Sequence, residues 1–204
     1  MKHAEMIKIA RGLDTFFKVM QRFCTIAIAV MLILMVTLTI VHAINPDAVI
    51  GEGFASLDIG PLTLSLAESH TPTNATVLKS AWIIVAFGSL TAAVMAFAFG
   101  QLRRLMAPMK EGNPFCEAAC NALKKLSHCA IALGVVGNIG AAVETAVTMH
   151  LYDLTNLAPG GAITSLTANH ELSLDFLMVY FLLLLVRYIF RYGMQLQQLS
   201  DETL

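Results

Sequence analysis

Residues 23–44 form a run of 22 residues without a single Asp, Glu, Lys or Arg, and no other feature limits the fold so sharply. An α-helix needs about 20 apolar residues to cross the hydrocarbon of a bilayer, because each residue advances it by about 1.5 Å. Runs of similar length and character follow at 80–100, 128–149 and 174–192. Composition agrees: 57% of the chain is hydrophobic and 13% charged, whereas soluble domains are about a quarter charged. The sequence predicts an all-α integral membrane protein, a four-transmembrane-helix bundle within the lipid bilayer. A small β-hairpin is expected in the first outer loop, where Phe54, Leu57, Ile59, Leu62, Leu64 and Leu66 approach alternation around Gly60 and Pro61. The net charge of −1 supplies no global field for nucleic acid, so no direct nucleic-acid partner is expected.

Charge orients the spans. The polar break 101–127 carries Arg103, Arg104, Lys110, Lys124 and Lys125. Basic residues in short loops stay cytoplasmic, so the second and third spans both have their inner ends here. The topology that follows has a cytoplasmic amphipathic lead at 1–22 and the first span at 23–44. An outer loop at 45–79 precedes the second span at 80–100. A cytoplasmic loop with an amphipathic helix occupies 101–127, and the third span is 128–149. A second outer loop covers 150–173, the fourth span 174–192 and a cytoplasmic tail 193–204. Of the thirteen Lys and Arg, all but Lys79 then lie inside. Val41 and Ala43 resemble a signal-cleavage site, but 23–44 is longer than the usual signal core of about 7–15 residues, so it is read as a retained span.

The amphipathic helix of the break is expected to open with Asn113 as cap, Pro114 at the first helical position and Glu117 in the first turn. Phe115, Ala119, Ala122, Leu123 and Leu126 fall at helical spacing behind them. Small residues recur every four positions at Gly88, Ala92, Ala96 and Gly100, and a second small face runs through Ala130, Gly134, Gly137 and Ala141. Such faces let helices approach closely in lipid, within one chain or between copies in a homo-oligomer.

Few residues carry chemistry. Glu144 continues the small face of the third span and is predicted to point into the bundle, with Asn138 a second buried polar group there. The bland alternative is that Glu144 reaches outer-side water. Asp175 stands at the mouth of the fourth span. Cys116 and Cys120 lie one helical turn apart, and with His128 or Cys129 could ligate a soft metal; small thiols also simply fill helix interfaces. His42, His70, His150 and His170, with Glu68, Asp153 and Glu171, form an outer set that could sense protons or metal if it converges. The four cysteines fall in or near inner segments, where thiols stay reduced. No catalytic motif is present, and neither an enzyme nor a bound cofactor is expected.

Three motifs carry a family resemblance. The first is Glu111-Gly112-Asn113-Pro114-Phe115 with Leu123 and Leu126 beyond it. The second is Glu171-Leu172-Ser173-Leu174-Asp175-Phe176. The third is Arg191-Tyr192-Gly193, then Leu196 and Asp201-Glu202-Thr203. In this order the chain resembles the bacterial four-span membrane family catalogued as domain of unknown function 2975. The resemblance marks Gly112, Asn113, Pro114 and Phe115 as the family's loop motif. It implies a bacterial inner-membrane protein with no established activity. Kinship also implies a membrane-bound regulatory role beside a small cytosolic helix-turn-helix regulator. The residues themselves leave two readings: a regulatory or interaction protein holding a partner through its inner loop and tails, or a small oligomeric transporter or channel subunit using Glu144 and Asp175.

Overall fold

The computed structural model describes residues 2–46, 56–59, 62–65, 73–112, 114–151 and 172–202. Four long helices dominate: α1 (Lys2–Ile44), α2 (Asn74–Lys110), α3 (Glu117–Leu151) and α4 (Asp175–Glu202). Between α1 and α2, strand β1 (Ser56–Ile59) pairs antiparallel with β2 (Leu62–Ser65), Leu57 opposite Leu64. Gly60 and Pro61, the expected turn, lie outside the described residues, as do Phe54 and Leu66.

Each helix contains a stretch long and apolar enough to cross a membrane. In the most apolar 18-residue window of α2 and of α4, no residue is buried, and in α1 only 6% are. Exposed Ile, Leu, Val and Phe side chains therefore cover the apolar runs. A soluble chain rarely shows such continuous patches; lipid is the solvent that covers them without cost.

The helices overrun the spans. At about 1.5 Å per residue α1 is about 65 Å long, twice the roughly 30 Å of hydrocarbon. The amphipathic lead expected at 1–22 and the first apolar run are one unbroken helix. Nothing local breaks it: residues 2–44 contain no Pro, and the hydroxyls of Thr15, Thr25, Thr37 and Thr39 are satisfied by the carbonyls four residues back. α2 starts at Asn74, six residues before the apolar run, behind Thr73, whose Oγ1 accepts the Thr76 N–H at 3.4 Å.

The chain divides into two compact units. The first gathers Met1–Ile28, Ser89–Asn138 and Leu172–Leu204. Its core is Leu105, Met106, Ala119, Ala122 and Leu123, with Phe17, Leu183, Val186 and Phe190 packed against it. Burial is thus deepest in the segment that reads as a polar break. Ala119, Ala122 and Leu123, which the helical period singles out, are 0%, 4% and 2% exposed.

The second unit is Ala29–Gly88 with Ile139–Glu171. Trp82 Nε1 donates to Thr39 Oγ1 at 3.0 Å, tying α1 to α2. The Phe87 ring lies over Gly140, at ordinary van der Waals distance from where a Cβ would stand. Met35, Val77 and Leu78 are its buried apolar residues among those described.

Candidate functional site

The first unit holds most of the residues that the sequence marks, organised around the short turn between α2 and α3. α2 ends at Lys110, and the N–H groups of Glu111 and Gly112 return to the carbonyls of Pro108 (3.2 Å) and Met109 (3.3 Å). Gly112 has φ 80°, a left-handed conformation that a side chain resists and that closes helix C-termini. α3 then begins at Glu117, the Cys116 carbonyl accepting the Cys120 N–H at 3.2 Å. Cys116 therefore occupies the cap position, and Pro114 precedes the helix instead of opening it. Asn113 lies outside the described residues. Glu117 is in the first turn as its sequence position suggests.

What holds Phe115 outside the helix is α4. Its ring meets Phe190 edge to face, centroids 5.5 Å apart. A Cβ on Gly193 would stand 2.7 Å from the Phe115 ring, so only glycine leaves room at that position. The loop motif and the Arg191-Tyr192-Gly193 motif are thus two halves of one contact.

The motif before α4 is anchored in the same way, to α3. Asn138 Nδ2 donates to the Ser173 carbonyl at 2.9 Å, and Asn138 Oδ1 accepts the Ser173 N–H at 2.9 Å. The amide so imitates a strand neighbour, satisfying both backbone groups of Ser173 just ahead of α4. Its Nδ2 also donates to the Gly134 carbonyl. One turn earlier the Phe176 ring occupies the space over Gly134: a Cβ there would fall 1.9 Å from the Phe176 Cγ. Asn138 is therefore a helix clamp. Asp175 is exposed and accepts the Ser173 hydroxyl at 3.0 Å, a charge at the positive end of α4.

Glu144 differs from its predicted orientation. Its side chain is exposed, not turned inward. Small residues mark where helices can approach, but a glutamate that continues their line still has the freedom to turn away. Its backbone carbonyl accepts the Thr148 hydroxyl at 2.9 Å.

An ionic cluster joins α1 to α2. Asp14 accepts from Arg103 Nε at 3.2 Å and from the Lys110 ammonium, while Arg103 Nη1 donates to Gln21 Oε1 at 3.1 Å. The Lys110 hydrogen bond, with further help from Arg103, holds the Asp14 carboxyl below the usual carboxylate range, against a smaller opposing effect of burial. Asp14 precedes the apolar run at 23–44. Its signal in the sequence is only an acid in a basic lead, because its partners lie 89 and 96 positions away.

Cys116, Cys120, His128 and Cys129 do not come together as a ligand set; among the described residues no group of three His, Cys, Asp or Glu is placed to hold a metal ion. Cys120 is buried, and burial pushes its thiol up, away from the reactive thiolate. In the outer histidine set, His42 and His150 are described, whereas His70, His170, Glu68, Asp153 and Glu171 lie outside the described residues.

Four helices of membrane-crossing length and apolarity, clad in exposed aliphatic side chains, define a multi-pass membrane protein. Residues 65–204 match the model of the family described as protein of unknown function DUF2975, and the chain belongs to that family. No curated protein and no solved structure matches it.

Proposed function

We propose that this is a non-enzymatic regulatory or interaction protein of the bacterial inner membrane, both termini cytoplasmic, which holds a cytosolic partner through its inner loop and tails. One observation carries the reading. α4 continues as helix from Gly193 to Glu202, about 15 Å beyond the run at 174–192, and Leu196 and Leu199 extend an exposed stripe that begins at Tyr192, the last residue of the run. Exposed leucines on a polar extension fit a partner's groove, the mode in which an amphipathic helix presents anchors at i, i+4 and i+7. The lead of α1 repeats the pattern with Ile9, Leu13 and Phe16.

Orientation is supported by charge. Twelve of the thirteen Lys and Arg, all except Lys79, belong to the first unit, the arrangement expected when that unit holds the cytoplasmic ends. Kinship suggests a small helix-turn-helix regulator as the partner. Open space over Gly88 and over Gly137 leaves room for a second copy of the chain on either face. The transport reading draws no comparable support, because Glu144 is exposed and Asp175 is engaged by Ser173.

The test is site-specific photo-cross-linking in native membranes from position 13 or 196, with position 182 as a lipid-facing control, followed by mass spectrometry. A small DNA-binding regulator should be captured from 13 and 196, and lost when Leu196→Asp and Leu199→Asp are combined. Self-cross-links alone would overturn the reading.

A further inference from the structure

A groove of 690 Å³ opens between α2 and α3 in the first unit, and its lining changes character along its length. Ala93, Val94, Phe97 and Ala132 make one end apolar. Lys124, Lys125 and His128 line the other, and Asn121 and Lys125 continue into a second groove of 510 Å³ that takes in Arg104 and Gln101. Both walls change at the same level. On α2 the apolar run ends at Gly100, one turn before Arg104; on α3 it begins at His128, just after Lys125.

Two further observations point to a ligand. Gln101 is 3% exposed, yet its Oε1 has no hydrogen-bond partner, a state that costs free energy unless something donates to it. Lys124, Lys125 and Arg104 form no ion pair with a described residue, and the one carboxylate on the lining is Glu111, at the turn. His128 Nδ1 can only donate to the Lys124 carbonyl, 2.6 Å away, which fixes the ring against the groove's basic end.

We propose that this groove binds an anionic glycerophospholipid, its phosphate held by Lys124, Lys125 and Arg104 and one acyl chain laid against Val94 and Phe97. A glycerol headgroup also brings hydroxyl donors for Gln101 Oε1, which favours phosphatidylglycerol over a bare phosphate monoester. Basic pockets between helices at the headgroup level suit such lipids. The site rests on the membrane placement and is independent of any cytosolic partner.

The experiment is native mass spectrometry of the detergent-purified full chain, titrated with phosphatidylglycerol, with phosphatidylcholine of the same acyl chains, and with glycerol 3-phosphate. Phosphatidylglycerol should bind roughly tenfold or more tightly than phosphatidylcholine, and glycerol 3-phosphate should not bind. Lys124→Ala with Lys125→Ala should weaken phosphatidylglycerol roughly ten- to thirtyfold. Lys8→Ala with Lys18→Ala, which removes equal charge elsewhere, should leave it unchanged. Ala93→Trp, at an exposed position, should block the acyl end and weaken both lipids. Protection of the buried Cys120 thiol, which lines neither groove, verifies that each variant is folded. Equal binding of the two lipids, or an unaffected Lys124/Lys125 variant, would overturn the proposal. So would glycerol 3-phosphate binding as well as lipid, or a lipid-free dimer that Ala93→Trp dissociates.

Discussion

The two units of this protein are built by different means. The first has an aliphatic core, two aromatic rings seated over glycines, a side-chain clamp and a two-cation cluster on Asp14. In the second, the described residues show a Trp82–Thr39 hydrogen bond, an Asn74–Pro46 hydrogen bond, the paired strands β1 and β2, a Phe87 ring over Gly140 and three buried apolar residues. Solvent explains part of the contrast. The core around Leu123 lies in the charged segment 101–127, where apolar burial drives packing at roughly 25 cal/mol per Å². The Phe176–Gly134 contact and the Asn138 clamp use residues of the apolar runs, as the Trp82–Thr39 bond does, and there shape, small residues and isolated hydrogen bonds take over.

Each unit carries its own reporter. All four cysteines, Cys24, Cys116, Cys120 and Cys129, belong to the first unit, and the single tryptophan, Trp82, to the second. Thiol labelling and tryptophan fluorescence on heating therefore follow the two separately. Leu123→Ala should have the largest effect, a loss of about 2–5 kcal/mol, because its side chain is fully buried. The thiol transition should move down further than the tryptophan transition; equal shifts would mean that the units melt as one.

Gly134→Ala comes next, at about 1–3 kcal/mol, since the new methyl meets the Phe176 ring. Phe176→Leu should rescue part of that loss, and strict additivity of the two changes would break the ring-over-glycine account. Asn138→Ala should cost about 1–2 kcal/mol, because both backbone groups of Ser173 lose their partner. Hydrogen exchange at the start of α4 should rise with it.

In the second unit, Thr39→Val removes the acceptor of Trp82 while keeping the reporter. About 0.5–1.5 kcal/mol should be lost from the tryptophan transition, with a shift in Trp82 emission and little change in the thiol transition. The smallest effect belongs to Asp14. A carboxyl held lower in the folded chain adds stability that is present above its unfolded value, near 3.8, and fades as pH falls through the folded value. Asp14→Asn should flatten that acid limb and cost at most about 1 kcal/mol at neutral pH, since the pair is partly exposed.

Much of the first unit is legible residue by residue. Ala119, Ala122 and Leu123 repeat at helical spacing, and that spacing alone puts them on one face. Glu117 opens α3 with the acid that a helix start favours. The start itself is not legible: a cap and a proline at Asn113-Pro114 signal a helix three residues early, because the signal cannot know that Gly193 leaves a seat for Phe115 on α4. Glu144 misleads for a related reason. Periodicity places its Cα in line with Gly134 and Ala141, while rotation of a long side chain is settled by neighbours.

What the sequence by itself determines is the number of membrane-crossing helices, the sign of charge at their ends and the periodic face around Leu123. These follow from local composition and from hydration, which act on each segment separately. Only the tertiary structure decides which side chains meet: Phe115 with Gly193, Phe176 with Gly134, Asn138 with Ser173, Asp14 with Arg103 and Lys110. Those pairs join positions 35 to 96 residues apart, and fit between surfaces, which no single segment carries, selects them.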